Sequence, residues 1–171
     1  MPLGPGPPSA FDDRAARGPA GLLRGLHDHN VEYVLTGALA MVFYGYVRNS
    51  EDLDVVVAPD QENLDRVAEW LSSIDAVLKL NPQRRFGPRE RWGLHKGSNV
   101  TVLTSKGQVD VVQRLPGLPE WPRLVEEAEV YEIDELRVPV INRATLIELK
   151  RRRGSHLDLA DIEAIERIAE L

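Results

Sequence analysis

Residues 36–57 read TGALAMVFYGYVRNSEDLDVVV, and this run, taken with QVDVVQ at residues 108–113, decides the fold. Apolar residues 31–35 predict a short strand, Gly37 a turn, residues 38–46 a helix, and residues 52–57 a second strand. Side chains alternate faces along a strand, so Asp52 and Asp54 project together while Leu53 and Val55 take the other face. Their α-carbons would sit roughly 6.5 to 7 Å apart at normal strand rise, near enough for both carboxylates to converge on one hard cation. Asp110 lies between Val109 and Val111, where a carboxylate without partners or metal would be costly to bury. If its strand lies alongside, three carboxylates cluster, a donor set that suits Mg²⁺ or Mn²⁺ bridged to substrate phosphates. Gly37 falls where a strand gives way to a helix N-terminus, and free backbone N–H groups at such a turn can receive phosphate oxygens.

Outward from this centre, residues 19–29 predict an amphipathic helix with Leu22, Leu23 and Leu26 on its buried side. Residues 63–72 repeat that pattern through Leu64, Val67, Ala68 and Leu71. Residues 77–80 read as a strand and residues 81–97, with Pro82, Gly87, Pro88 and Gly93, as irregular. Two strands at 99–104 and 108–112 flank a turn expected at Lys106–Gly107. Beyond the loop LPGLPEWP a short helix starts near Trp121, residues 137–141 are extended, and helices cover 144–152 and 157–170. The expected architecture is α/β (α+β), a mixed, largely antiparallel twisted sheet flanked by helices. A Pro- and Gly-rich tail over residues 1–12 precedes one domain at 13–171, whose C-terminal helical part begins near residue 143.

A chain of 171 residues with 43% hydrophobic content suffices for one domain with a real core. No stretch approaches the roughly 20 apolar residues of a membrane span, and a soluble, cytoplasmic protein is expected. With no cysteine there is no disulfide, thiolate chemistry or Cys-based zinc site. A formal charge of −6 argues against broad electrostatic binding to nucleic acid, although a local patch remains open.

One such patch lies between Arg84 and Lys96, where Arg84, Arg85, Arg89, Arg91 and Lys96 oppose only Glu90, with Phe86 and Trp92 interspersed. It reads either as a grip on single-stranded RNA or a triphosphate, or as a solvated loop. Arg48 sits in the loop just before Asp52 and reads equally as a substrate contact or a pin to a carboxylate. His27 and His29 are two apart and do not share a helix face, and no Ser, His and acid set stands in a hydrolase context. An Asp-x-Asp phosphatase is disfavoured, because polar Asn49, Ser50 and Glu51 precede Asp52 and the valines follow.

A Gly turn opening a helix, a strand bearing Asp-x-Asp, and a third Asp on a later strand together resemble the nucleotidyltransferase fold of the DNA polymerase beta type. With the tail VPVINRATLIELKRRRGSHLDLADIEAI, residues 138–165, the chain looks most like the small bacterial enzymes related to abortive-infection and toxin–antitoxin nucleotidyltransferases, across most of residues 19–170. The resemblance implies Asp52, Asp54 and Asp110 as catalytic and metal-binding residues. It implies Thr36, Gly37, Ala38, Arg48 and Lys150 as nucleotide or phosphate contacts, a nucleoside triphosphate as substrate, and a hydroxyl of RNA (a tRNA end) or of a protein as acceptor. A cognate antitoxin or toxin partner also follows from it. Two departures stand out. Many members have Gly-Ser at the phosphate turn, where this chain has Gly37-Ala38. The family's tail places Arg five residues after the Lys, where this chain has Ser155, so Arg151, Arg152 or Arg153 would have to substitute. The alternative is a catalytically weak protein of the same fold that binds nucleotide or a partner.

Overall fold

The computed structural model describes residues 18–46 and 52–171. Helix α1 (Pro19–Asp28) starts on a proline and buries Leu22, Leu23 and Leu26. Strand β1 (Tyr33–Thr36) is buried along its whole length and runs directly into α2 (Gly37–Phe43). Then come β2 (Leu53–Val57), α3 (Gln61–Ser73), β3 (Val77–Leu78), β4 (Asn81–Arg85) and α4 (Pro88–His95). The chain continues through β5 (Val100–Thr104), β6 (Gly107–Val112), α5 (Trp121–Glu127), β7 (Glu129–Ile133) and β8 (Leu136–Val140) to α6 (Arg143–Arg153) and α7 (His156–Ala169). One eight-stranded sheet has the order β4-β3-β5-β6-β2-β1-β8-β7. It is antiparallel at every joint except β1–β8 and β2–β6, the mixed α/β arrangement the sequence predicts.

Alternation explains why the central strands can carry acids. Leu53, Val55, Val102, Val109 and Val111 are all fully buried, whereas Asp54, Asp110 and Thr101, on the other face, are only partly so. Burying one such apolar side chain contributes about 1.5 to 3 kcal/mol. The apolar face therefore outweighs the cost of holding a carboxyl pair on the opposite one. Asn63, fully buried, fixes the frame: its Oδ1 accepts from Glu32 N at 2.8 Å, and its Nδ2 donates to Glu32 O and Ala58 O at 3.0 Å each. This joins α3 to the residue before β1 and the residue after β2. The helix itself starts two residues earlier than the apolar pattern indicates, because Asp60 caps it by accepting from Asn63 N.

Three corrections concern elements. Residues 81–97 are not irregular but form β4 and α4. Pro82 is tolerated because β4 is the sheet's edge, and Pro88 opens a helix whose Glu90 accepts from Gly87 N. Strand β7 went unforeseen at the opposite edge. Its hairpin with β8 turns on Asp134 and Glu135, at φ 44° and 68°, a left-handed pair usually signalled by Asn-Gly. The β5–β6 hairpin turns on Ser105 and Lys106, one residue earlier than expected, with Gly107 at φ 125°. The expected tail over residues 1–12 falls outside the described residues. Among the described residues no helix is long and apolar enough to cross a membrane.

Candidate active site: a carboxylate pair on parallel strands

Strand registers build the site. Thr36 on β1 lies opposite Asp54 on β2, Asp54 lies beside Asp110 on β6, and Asp110 lies opposite Thr101 on β5. One polar row thus crosses four strands. Thr101 Oγ1 donates to Asp110 Oδ1 at 2.5 Å and Gln108 Nε2 donates to Asp110 Oδ2 at 2.8 Å, which fixes that carboxylate's orientation. Neither Thr101 nor Gln108 was anticipated. The hairpin turn carried the signal: moving it from Lys106–Gly107 to Ser105–Lys106 changes the partner of Asp110 from Leu103 to Thr101.

Burial first, and then the charge of Asp110, a hydrogen bond between the two carboxyls and the charge of Asp52, raise Asp54 from 3.8 to about 7. Arg153 pulls weakly the other way. The pair therefore has a choice between sharing a proton and binding a cation. Asp54 and Asp110 stand as a neighbouring pair, and among the described residues no three acidic, imidazole or thiol groups are gathered as one metal-holding set. Asp52, exposed just ahead of β2, adds its charge to the pair. All-oxygen donors, with a carboxyl held from ionising by burial and a neighbouring acid, fit a hard divalent ion such as Mg²⁺ or Mn²⁺.

Gly37 closes the other side. Its φ is +69°, and a Cβ built there would fall 2.2 Å from Asp54 Oδ2 and 2.7 Å from Asp54 Cγ. Only glycine allows the backbone of the turn to come this close to the carboxylate. Ala38 follows it in α2, which is seven residues long and shorter than expected at its C-terminal end.

No family model matches the chain, and no curated protein matches it either. It is similar to the crystal structure of a "putative nucleotidyltransferase" from Thermotoga maritima, with 18% identity, coverage of 88% of each chain and a TM-score of 0.49.

The C-terminal helices border the row through Arg153. Asn142 caps α6, Gly154 ends it in the left-handed conformation at φ 66°, and Ser155 caps α7 in a reciprocal bond with Asp158. Lys150 is 4% exposed, and its Nζ donates to Asp161 Oδ2 at 2.9 Å and stands 3.7 Å from Asp158 Oδ1. Arg153 grips Asp158 with both prongs, at 2.8 and 2.5 Å, and this contact leads in holding the Asp158 carboxyl well below the usual range. Its charge also reaches Asp54, which makes it a candidate for the substitute cation.

The phosphate contact expected of Lys150 is not offered by this arrangement. The ammonium, carried by α6, is enclosed against α7 and pinned to Asp158 and Asp161 of that helix. Lys150→Met should therefore destabilise the fold by about 3 to 5 kcal/mol, because it leaves buried carboxylate charge uncompensated. A melting-temperature drop of roughly 10 °C measures this. An unchanged melting temperature with weakened triphosphate binding would return Lys150 to the nucleotide.

Arg48 lies outside the described residues. A cleft of about 880 Å³ is lined by Val56, Val57, Gln113, Arg114 and the loop ending at Pro122, and does not include Asp52, Asp54 or Asp110. Val56 and Gln113 in its lining follow Asp54 and Asp110 in sequence by two and three residues.

Proposed function

We propose that this chain is a divalent-metal-dependent nucleotidyltransferase that moves a nucleoside monophosphate from a nucleoside triphosphate to a hydroxyl. The observation that carries the reading is the Asp54–Asp110 pair, set side by side on parallel strands against the Gly37 backbone. A Mg²⁺ or Mn²⁺ ion held by Asp54 and Asp110, with Asp52 as a further ligand, would neutralise the acids and stabilise the entering and leaving oxygens.

This chain's own groups supply the rest. Asp110, oriented by Thr101 and Gln108, positions the acceptor hydroxyl and takes its proton. The hydroxyl oxygen bonds to the α-phosphorus, the bond from that phosphorus to the bridging oxygen breaks, and pyrophosphate leaves. The backbone at Gly37, with Thr36 and Ala38 beside it, receives the β- and γ-phosphates. Arg153 stands by as a cation near the acids. The acceptor is a hydroxyl of RNA, with a tRNA end as the first case, or of a protein side chain.

A second reading, a weak enzyme that binds nucleotide or a cognate toxin–antitoxin partner, is favoured by Ala38 at the turn and by the enclosure of Lys150. Incubation with each labelled nucleoside triphosphate, Mg²⁺ and cell extract separates them. Label in RNA or protein supports transfer. Nucleotide bound without label transfer supports the second reading, and no nucleotide binding defeats transfer and leaves only the partner-binding form of the second.

A further inference from the structure

On β4 and α4, most of the basic residues near the exposed tryptophan have structural partners. Arg84 pairs with Glu90 at 2.6 Å, Arg85 with Asp75 at 3.0 Å, and Arg91 and His95 both bind Asp65 at 2.7 and 2.9 Å. These contacts seat β4 and α4 against α3. What is left on the outward stripe is Arg89, Trp92 and Lys96, spaced three and four residues apart and so on one helix face. Trp92 is 65% exposed, and Lys96 Nζ lies 5.6 Å from its ring centroid. An indole turned to water between two cations, on a chain of net charge −6, is a local reversal of the protein's overall sign.

The stripe is fastened to the strand that carries Asp110. Gln113 Nε2 donates to Leu94 O and Ser98 O at 2.9 Å each, and Arg114 Nη2 donates to Lys96 O at 3.0 Å. Asn99 Oδ1 accepts from Gln113 N and Arg114 N at 2.7 and 2.9 Å. Only three residues, roughly 10 Å of strand, separate Asp110 from Gln113. Arg114 also lines the cleft that Val56 and Gln113 border. The acids bordering the stripe are Glu90, engaged by Arg84 and Gly87 N, and Asp65, engaged by Arg91 and His95.

We infer that Arg89, Trp92 and Lys96 form a stacking platform for a single-stranded nucleic acid, which guides the acceptor strand past Arg114 toward the carboxylate pair. The platform deepens the transferase reading and rests on it for direction, since it makes the acceptor an RNA strand. A planar ring accepts any base face, and the flanking cations take the phosphates, so the surface selects single strands over duplexes without reading sequence. An acidic protein would satisfy the cations but not the ring.

The test is equilibrium binding of a fluorescein-labelled single-stranded RNA of ten nucleotides, without triphosphate or Mg²⁺, against a duplex of the same sequence and an oligoglutamate peptide. The native chain should prefer the single strand, with affinity falling as salt rises. Trp92→Ala should weaken it about tenfold or more, Trp92→Phe should restore most of that loss, and Arg89→Gln with Lys96→Gln should flatten the salt dependence. Triphosphate binding should be unchanged in all of them. All three positions are exposed, so these variants should fold like the native chain, and a thermal melt checks each. No binding of the single strand, equal binding of the peptide, or a Trp92→Ala variant that binds like the native chain overturns the platform. Loss of triphosphate binding in the native chain would instead overturn the transferase reading, so the two failures are distinguishable.

Discussion

Asp54→Asn is expected to abolish nucleotide transfer, by on the order of 10³-fold, while making the folded chain more stable. Both effects come from one carboxyl. Burial and the Asp110 charge raise it to about 7, so above that pH folding must hold an anion in a place that disfavours it. Removing the charge should add about 1 to 3 kcal/mol, or roughly 3 to 10 °C in melting temperature. The sign with pH is fixed. Between about pH 4 and 7 the folded chain keeps a proton that the unfolded chain has lost, so native stability falls as pH rises through that window. The asparagine variant should lack this decline, and the gap between the two proteins should open from pH 4 and level off above 7. Mg²⁺ with triphosphate should raise the melting temperature of the native chain and leave that of Asp54→Asn unmoved. A variant that unfolds, beside a native chain indifferent to Mg²⁺, would make Asp54 structural.

The centre of the sheet was legible in the sequence because it obeys one strong rule. Asp54 and Asp110 each sit between apolar residues, so strand periodicity puts each on the face opposite its neighbours. The expected condition that the two strands lie side by side is met in the pairing of β2 with β6. The edges obey weaker rules. Pro82 and Pro88 read as breakers, yet one sits on an unpaired edge and the other at a helix start, the two places where proline costs little. The turn at Asp134 and Glu135 has Glu at φ 68° where the usual Asp-Gly turn has glycine, so β7 gave no hairpin signal.

At the site, the limits were registers and pairings. A one-residue difference in the β5–β6 turn hid Thr101 as the donor to Asp110. Lys150 illustrates the other limit. Its spacing to Asp158 and Asp161 was visible, but spacing alone does not say whether a cation faces a ligand or its own acids. Burial to 4% decides it here, because an ammonium enclosed with two carboxylates is already paired. Arg153, two residues short of the position where the related tail places its arginine, reaches Asp158 only because Gly154 ends the helix between them.

Gly37 and Ala38 are neighbours with opposite expected behaviour, and the contrast tests the phosphate turn. Gly37→Val should be the most damaging single change at the site. The new side chain would meet Asp54 Oδ2 at 2.2 Å and would have to hold φ +69°, which a β-branched residue resists. A loss of about 3 to 5 kcal/mol in stability and the loss of triphosphate binding should follow together. The smaller Gly37→Ala separates the two causes through a double-mutant cycle with Asp54→Ala. Truncating Asp54 removes the contacts at 2.2 and 2.7 Å but not the backbone strain, so part of the cost, about 1 to 3 kcal/mol, should vanish in the double variant. Full additivity would mean that Gly37 is held by its φ alone and that its approach to the carboxylate is incidental. Ala38→Ser points the other way. A hydroxyl restored beside the turn should tighten binding of a non-hydrolysable triphosphate, measured calorimetrically, by about 0.5 to 1.5 kcal/mol. If Ala38→Ser leaves that affinity unchanged while Gly37→Ala folds and binds like the native chain, the phosphates do not lie at this turn. The carboxylate pair would then need another source of triphosphate contacts, and the nucleotide- or partner-binding reading would become the stronger one.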